Sequence, residues 1–151
     1  MDISQAQSDS VIAAAKAKAA EIAVPMNVAV LDAAANLKAF LRMDGALLGS
    51  VDIAMGKAKT AALFGMNTEA VGEFCKPGGT SPGLEQTNGG LVIFAGGIPL
   101  HDSTGRSIGA VGVSGGSVEQ DFSVAKAAAA AAAQNEGGAL RMEISPEGQL
   151  A

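Results

Sequence analysis

Aromatic, sulfur and imidazole side chains are nearly missing from this sequence. It has no Trp and no Tyr, five Phe, one Cys and one His. Each shortage excludes something. Single-stranded nucleic acid is gripped by basic grooves set with stacking aromatics, and a net charge of −5 with 3% aromatic residues supplies neither. A lone cysteine, Cys75, cannot close an intramolecular disulfide, which fits a reducing cytoplasm. Structural zinc calls for several His or Cys ligands, whereas His101 and Cys75 are single and far apart. No apolar run reaches the roughly 18 residues of a membrane span. The polar N-terminus lacks the basic-then-apolar order of a signal peptide. The expectation is a soluble cytoplasmic protein with no nucleic-acid partner, no membrane contact and no metal site.

What remains is small and aliphatic. Of 151 residues, 48% are hydrophobic, so the core must be built from Ala, Val, Ile, Leu and Met. Such a core favours thin helices lying close to a sheet. The length suits one domain. Ser4 and Gln7 form a capping box that opens a helix, and Pro25 forbids its continuation. Residues 26–33 alternate as a strand, and residues 37–43 return as its hairpin partner. A helix is expected over 50–66, with Ala54, Ala58, Ala61, Ala62 and Gly65 on one stripe. A short helix over 68–74 follows. The stretch 76–90 is a long loop of the kind that is usually functional or mobile. Residues 91–94, 98–102 and 106–114 read as three further strands. Ser117 and Gln120 form a second capping box before an alanine-rich helix that should stop at Gly137-Gly138. This order predicts an α+β fold, an antiparallel sheet covered by helices. The domain should span 1–138, with 139–151 as a flexible appendage.

The chemistry centres on a few residues. "GVSGG" (112–116) matches G-x-S-x-G between a strand and a helix, the setting of a nucleophilic serine elbow. That reading fails because the only histidine, His101, precedes Ser114, and nothing places Lys126 beside it. Glycines here serve the backbone better: Gly109 and Gly112 for close approach, Gly115 and Gly116 for positive φ at the corner. Free amides at the helix start could dock an anion beside Ser117, or Asp121 could satisfy them internally. Arg42 and Asp44 flank a strand end, where Arg42 could clamp a carboxylate or simply pair with Asp44. Lys57 and Lys59 read most simply as a solvated face. Cys75 reads as buried packing, with Lys76 nearby as a possible activator.

Four blocks in order, "RMDGA", "AKTAALF", "GGIPL" and "GAVGVSGG…D", resemble the GlcG/HbpS family of haem-degrading-like proteins, which is also similar to the C-terminal domain of the PduO adenosyltransferase. The resemblance spans about residues 4–137. It implies a profilin-like α-β-α sandwich with an antiparallel five-stranded sheet. It also implies a homo-oligomer, and in some members haem binding through a histidine on the first helix. This chain has no histidine there, so His101, Cys75, Met43 or Met55 would have to substitute, and His101 is the candidate haem ligand. The turn "DAAANL" departs from the more common D-x-x-G pattern.

The resulting expectation is a small oligomeric protein that binds haem or another tetrapyrrole, accessory to glycolate or diol catabolism. Its ligand site is expected at Arg42, Asp44, Gly96, Gly97, Ser114, Gly115 and Gly116. Two alternatives stand beside it. One is a cofactor-independent enzyme on a small carboxylate or diol-derived metabolite, with Arg42 as clamp and Asp44 as acid or base. The other is an assembly partner of a metabolic enzyme. Seven consecutive alanines, Ala127 to Ala133, leave the last helix without a polar face. With the alanine-rich first helix they predict a dimer or a dimer of dimers, with Lys16 and Lys18 near its rim.

Overall fold

A computed structural model describes residues 2–144, with side chains described through Ala133. Helix α1 covers Gln5–Glu21, and the Ser4–Gln7 capping box closes its first turn as expected. Strands β1 (Asn27–Asp32) and β2 (Leu37–Arg42) form the hairpin. Asp32 caps that turn by accepting the N–H groups of Ala34 and Asn36. Ala35 takes the left-handed φ of 67° that a glycine would hold in the more common turn. Helices α2 (Gly49–Phe64) and α3 (Thr68–Cys75) follow, then strands β3 (Gly97–His101) and β4 (Ser107–Ser114). Helix α4 spans Val118–Ile144 and so runs through Gly137-Gly138, where the sequence reading ends it. Residues 145–151 of the expected appendage lie outside the described residues.

The sheet is antiparallel and has four strands in the order β2-β1-β4-β3, one fewer than expected. The missing strand is "LVIF" (91–94). Its backbone is bonded to groups outside the sheet: the Val92 N–H donates to Thr60 Oγ1 on α2 at 3.1 Å, and the Phe94 carbonyl accepts from Thr68 Oγ1 on α3 at 2.7 Å. A β-like composition is therefore overridden by side-chain partners, and the segment drapes over two helices to deliver β3 to the sheet edge. Pro99 suits that edge position.

Helices cover both faces. On one side, Val28, Val30, Val111 and Val113 pack with Val11, Ala15 and Ala19 of α1 and with Val124, Ala125 and Ala128 of α4. The small residues expected to meet across a dimer thus first meet within one chain. On the other side, Ala29 and Leu31 pack on Ala54 and Ala58 of α2. That second layer is thin because Gly112 has no side chain: a Cβ there would collide with the Ala54 carbonyl and sit 2.5 Å from the Ala58 nitrogen.

Gly112→Ala should therefore lower the unfolding free energy by about 1–3 kcal/mol, the usual cost of overpacking. Gly49→Ala, where an added Cβ meets nothing within 4 Å, should change it by less than about 1 kcal/mol. Urea titration of the two variants checks the difference, and equal midpoints would contradict the close helix–sheet contact.

Candidate functional site

At one end of the sheet, Asn27 of β1 lies between Arg42 of β2 and Ser114 of β4, directly opposite each in register. Directly paired residues project to the same face, so these three share the α2 side. Asn27 is fully buried, and its Nδ2 donates to the Leu47 carbonyl at 2.9 Å, tying down the segment that leads into α2. Its Oδ1 has no hydrogen-bond partner among the described residues. Arg42 is exposed and makes no hydrogen bond or ion pair with Asp44, so the local pairing considered from sequence is not formed. Asp44 sits in the exposed turn closed by the Ala46 N–H on the Met43 carbonyl, where Gly45 supplies a φ of 83°.

The remaining expected residues gather around a group that sequence reading had assigned to solvent. Lys57 is fully buried. Its Nζ donates to Asp121 Oδ2 at 2.9 Å and to the Val113 carbonyl at 2.8 Å. The ring of Phe94 lies 5.1 Å from the same nitrogen, an arrangement in which the ring face attracts the cation. Burial pushes the Lys57 ammonium down from its ordinary range, and the hydrogen bond and charge of Asp121 offset part of that. The signal for this burial was present in the sequence. Lys57 falls on the same helical stripe as Ala54 and Ala61, at offsets of three and four.

Asp121 does a second job with its other oxygen. Oδ1 accepts the N–H of Gly115 at 3.1 Å and of Gly116 at 2.8 Å. The Ser117 N–H goes to Gln120 Oε1 at 2.9 Å, as the capping box requires. The amides that could have docked an anion are thus satisfied from inside, the alternative left open by sequence. Neither Gly115 nor Gly116 has a positive φ. Glycine is needed there for space: a Cβ on Gly115 would sit 2.6 Å from the Pro25 carbonyl, and one on Gly116 would sit 2.5 Å from Gln120 Oε1. Gly96 is pressed against the Lys57 ammonium in the same way, and Gly97 against the Lys57 carbonyl. Gly96, Gly97, Ser114, Gly115 and Gly116 therefore form one neighbourhood, but as the housing of an ion pair.

Other candidates scatter. His101 is exposed at the end of the edge strand β3. Beside it, Asp102 accepts from the Thr104 and Arg106 N–H groups and the Thr104 hydroxyl, which holds its carboxyl down at about 2. That turn's support is thus in place above the ordinary carboxylate range and fades only as pH falls toward 2. Cys75 is buried, and burial with the neighbouring Glu85 pushes its thiol up. Lys76 does not activate it, being paired to Glu73 at 2.5 Å. Lys126 is exposed on α4. Among the described residues no group of three His, Cys, Asp or Glu could hold a metal ion, and no helix is long and apolar enough to cross a membrane.

The fold and this end of the sheet define a class: a small antiparallel-sheet domain with helices on both faces and a buried lysine–aspartate pair at the strand-to-helix corner. The family model for haem-degrading HbpS-like proteins matches residues 3–130, and the chain belongs to that family. An uncharacterised 15.0 kDa protein from the dhaT-dhaS intergenic region of Citrobacter freundii is 44% identical over 116 residues, covering 76% of this chain and 81% of that one. The corrinoid adenosyltransferase PduO of Salmonella typhimurium is 40% identical over 119 residues, but the match takes in 78% of this chain and 35% of PduO. The crystal structure of a PduOC:heme complex superposes with a TM-score of 0.82 at 36% identity, covering 87% of this chain and 95% of that one.

Removing either partner of the buried pair should be costly, because a lone charge is left in the interior. Lys57→Met is expected to destabilise by about 3–5 kcal/mol, and the double variant Lys57→Met with Asp121→Asn should recover part of that loss. Denaturant unfolding of the single and double variants measures it. A single-variant loss under about 1 kcal/mol would mean that the pair is solvated in solution.

Proposed function

We propose that this domain is a ligand-binding module that takes haem or a related tetrapyrrole. The observation that carries the reading is the 36% identical PduOC:heme structure, which matches almost end to end. A groove of about 520 Å³ between α1 and α4 suits such a ligand. Its lining is mostly apolar, from Phe122, Ala127 and Ala130 with Ser123 among them, and Lys18 and Lys126 add two cations. An apolar lining accepts a flat macrocycle, and two ammonium groups match its propionates. Lys18 is already paired with Glu21 at 3.0 Å, which leaves Lys126 the freer of the two.

The residues present fit haem held by its face and its propionates better than haem held through iron. Helix α1 contains no histidine. Met43 Sδ accepts the Met26 N–H at 3.4 Å inside the core, and Cys75 is buried at the end of α3. Met55 lines the cavity on the other face of the sheet, and His101 remains as the exposed substitute on the edge strand, outside the groove lining. We propose further that the chain works as a homo-oligomer, a dimer or a dimer of dimers, in the cytoplasm and accessory to glycolate or diol catabolism. Exposed Ala13, Ala17 and Ala20 on the outside of α1 and Ala133 on α4 supply the small-residue surfaces for association, with Lys16 at their rim. A second reading draws on Arg42, whose guanidinium is free of any protein partner among the described residues. It is available to clamp a small carboxylate at the sheet end, beside Asp44.

Haemin titration separates these. The wild type should shift the Soret band. Lys126→Glu should weaken binding on the order of tenfold by replacing a propionate partner with a like charge, and His101→Ala should titrate like the wild type. No Soret change would remove the tetrapyrrole reading. A change lost only in His101→Ala would move the ligand from the groove to the edge strand.

A further inference from the structure

We infer that the outer face of α2 forms a second binding site, for an aliphatic carboxylate that carries a hydroxyl or amino group at its far end. A cleft of about 390 Å³ opens there between the helix, the β1–β2 hairpin and the loop that precedes β3. That volume falls in the range of about 300–1,000 Å³ common for small-molecule sites. Asp52, Met55, Gly56 and Lys59 line it from the helix. Their offsets of three, four and seven residues put all four on one face. Leu31 and Ala35 of the hairpin and Leu91 and Val92 of the loop complete it.

Opposite charges stand at its two ends. Seven residues of helix separate Asp52 from Lys59, about 10.5 Å along the axis. Lys59 Nζ donates to the Asn88 carbonyl at 2.5 Å, and an ammonium has three protons to give. Asp52 makes no hydrogen bond or ion pair among the described residues. Met55 stands between the two charges on the helix, and Leu31 and Ala35 add apolar lining from the hairpin. A carboxylate at the Lys59 end, an alkyl chain over Met55 and a donor at Asp52 match that sequence of surfaces. A plain alkylamine or a dicarboxylate matches only half of it.

The walls are built before any ligand arrives. The Val92 N–H is held by Thr60 Oγ1, and the Leu91 N–H by the Glu85 carbonyl at 2.8 Å. Gly56 lets Val92 seat against the helix, since a Cβ there would sit 2.6 Å from Val92 Cγ2. Asn88, Gly89 and Gly90 all adopt positive φ, at 55°, 74° and 105°. That run brings bare backbone to the mouth of the cleft and sets the Asn88 carbonyl against Lys59. The cleft lies on the α2 face of the sheet and the α1–α4 groove on the other, so this inference does not rest on tetrapyrrole binding.

The test is calorimetric titration of the full chain with ω-amino and ω-hydroxy alkanoates of graded chain length, with plain alkanoates and alkylamines alongside. One chain length of the ω-substituted acids should bind best. Lys59→Met should weaken it on the order of tenfold or more, the loss expected for a charge-assisted hydrogen bond. Asp52→Asn should weaken the amino series more than the hydroxy series. Because Asp52 is exposed in the first turn of α2, that variant keeps the fold even if Lys59→Met loosens the loop at Asn88. Lys38→Ala, at an exposed position of β2 outside the lining of the cleft, should change neither series. The inference is overturned if no ω-substituted acid binds, if both α2 variants bind like the wild type, or if affinity is lost in Lys38→Ala instead.

Discussion

The contact between Lys57 and Asp121 is the constraint around which this domain is arranged. The lysine comes from α2 on one face of the sheet and the aspartate from α4 on the other, and they meet past the end of β4 at 2.9 Å. Neither group would be tolerated there alone, since an unpaired charge in the interior costs several kcal/mol. Its presence dictates the glycines nearby. Gly96 must leave room for the ammonium, Gly97 for the lysine carbonyl, and Gly112 for the helix that carries it. The same aspartate collects the Gly115 and Gly116 amides, so one side chain fixes the ion pair, the corner and the start of α4. A buried pair is weak evidence for net stability, but it defines a single arrangement of three elements.

With the corner committed to holding the fold, the open concave surfaces lie on the two helix faces. On the α1–α4 side, small residues make a shallow apolar groove with two lysines in its lining. On the α2 side, the draped segment 91–94 stands off from the sheet and leaves a cleft with charge at both ends. The segment can do this because Thr60 and Thr68 offer hydroxyls to its backbone. A fifth strand in its place would have continued the sheet instead. The departure from the expected five strands is thus what creates the cleft.

Much of the frame was legible because its signals are local. Both capping boxes, the hairpin and the glycine-marked strands follow from residues within a turn of one another, and the family blocks fall on them. The errors share a physical cause, which is tertiary competition for backbone groups. "LVIF" has strand composition, yet its partners are threonines on helices, which no local pattern announces. Gly137-Gly138 reads as a stop, yet the helix continues. At the corner, sequence identified the glycines and missed their reason, expecting positive φ where crowding rules. Lys57 was misread as solvated because it is a lysine, although its spacing from Ala54 and Ala61 pointed inward. Asp121 was weighed for the internal role it holds, without its cationic partner. Arg42 and Ser114 lie at one end of the sheet on either side of Asn27, and Asn27 went unnoticed because a single asparagine in a strand carries no motif.

Amide hydrogen exchange at Gly115 and Gly116 tests the central claim most directly. If Asp121 holds both N–H groups beneath the corner, their exchange should be slowed toward the rate set by global unfolding, as for the core of β4. It should also be indifferent to added acetate or phosphate. Fast exchange typical of an open loop, or protection that appears only when an anion is added, would contradict the account and return the corner to the role of a ligand site.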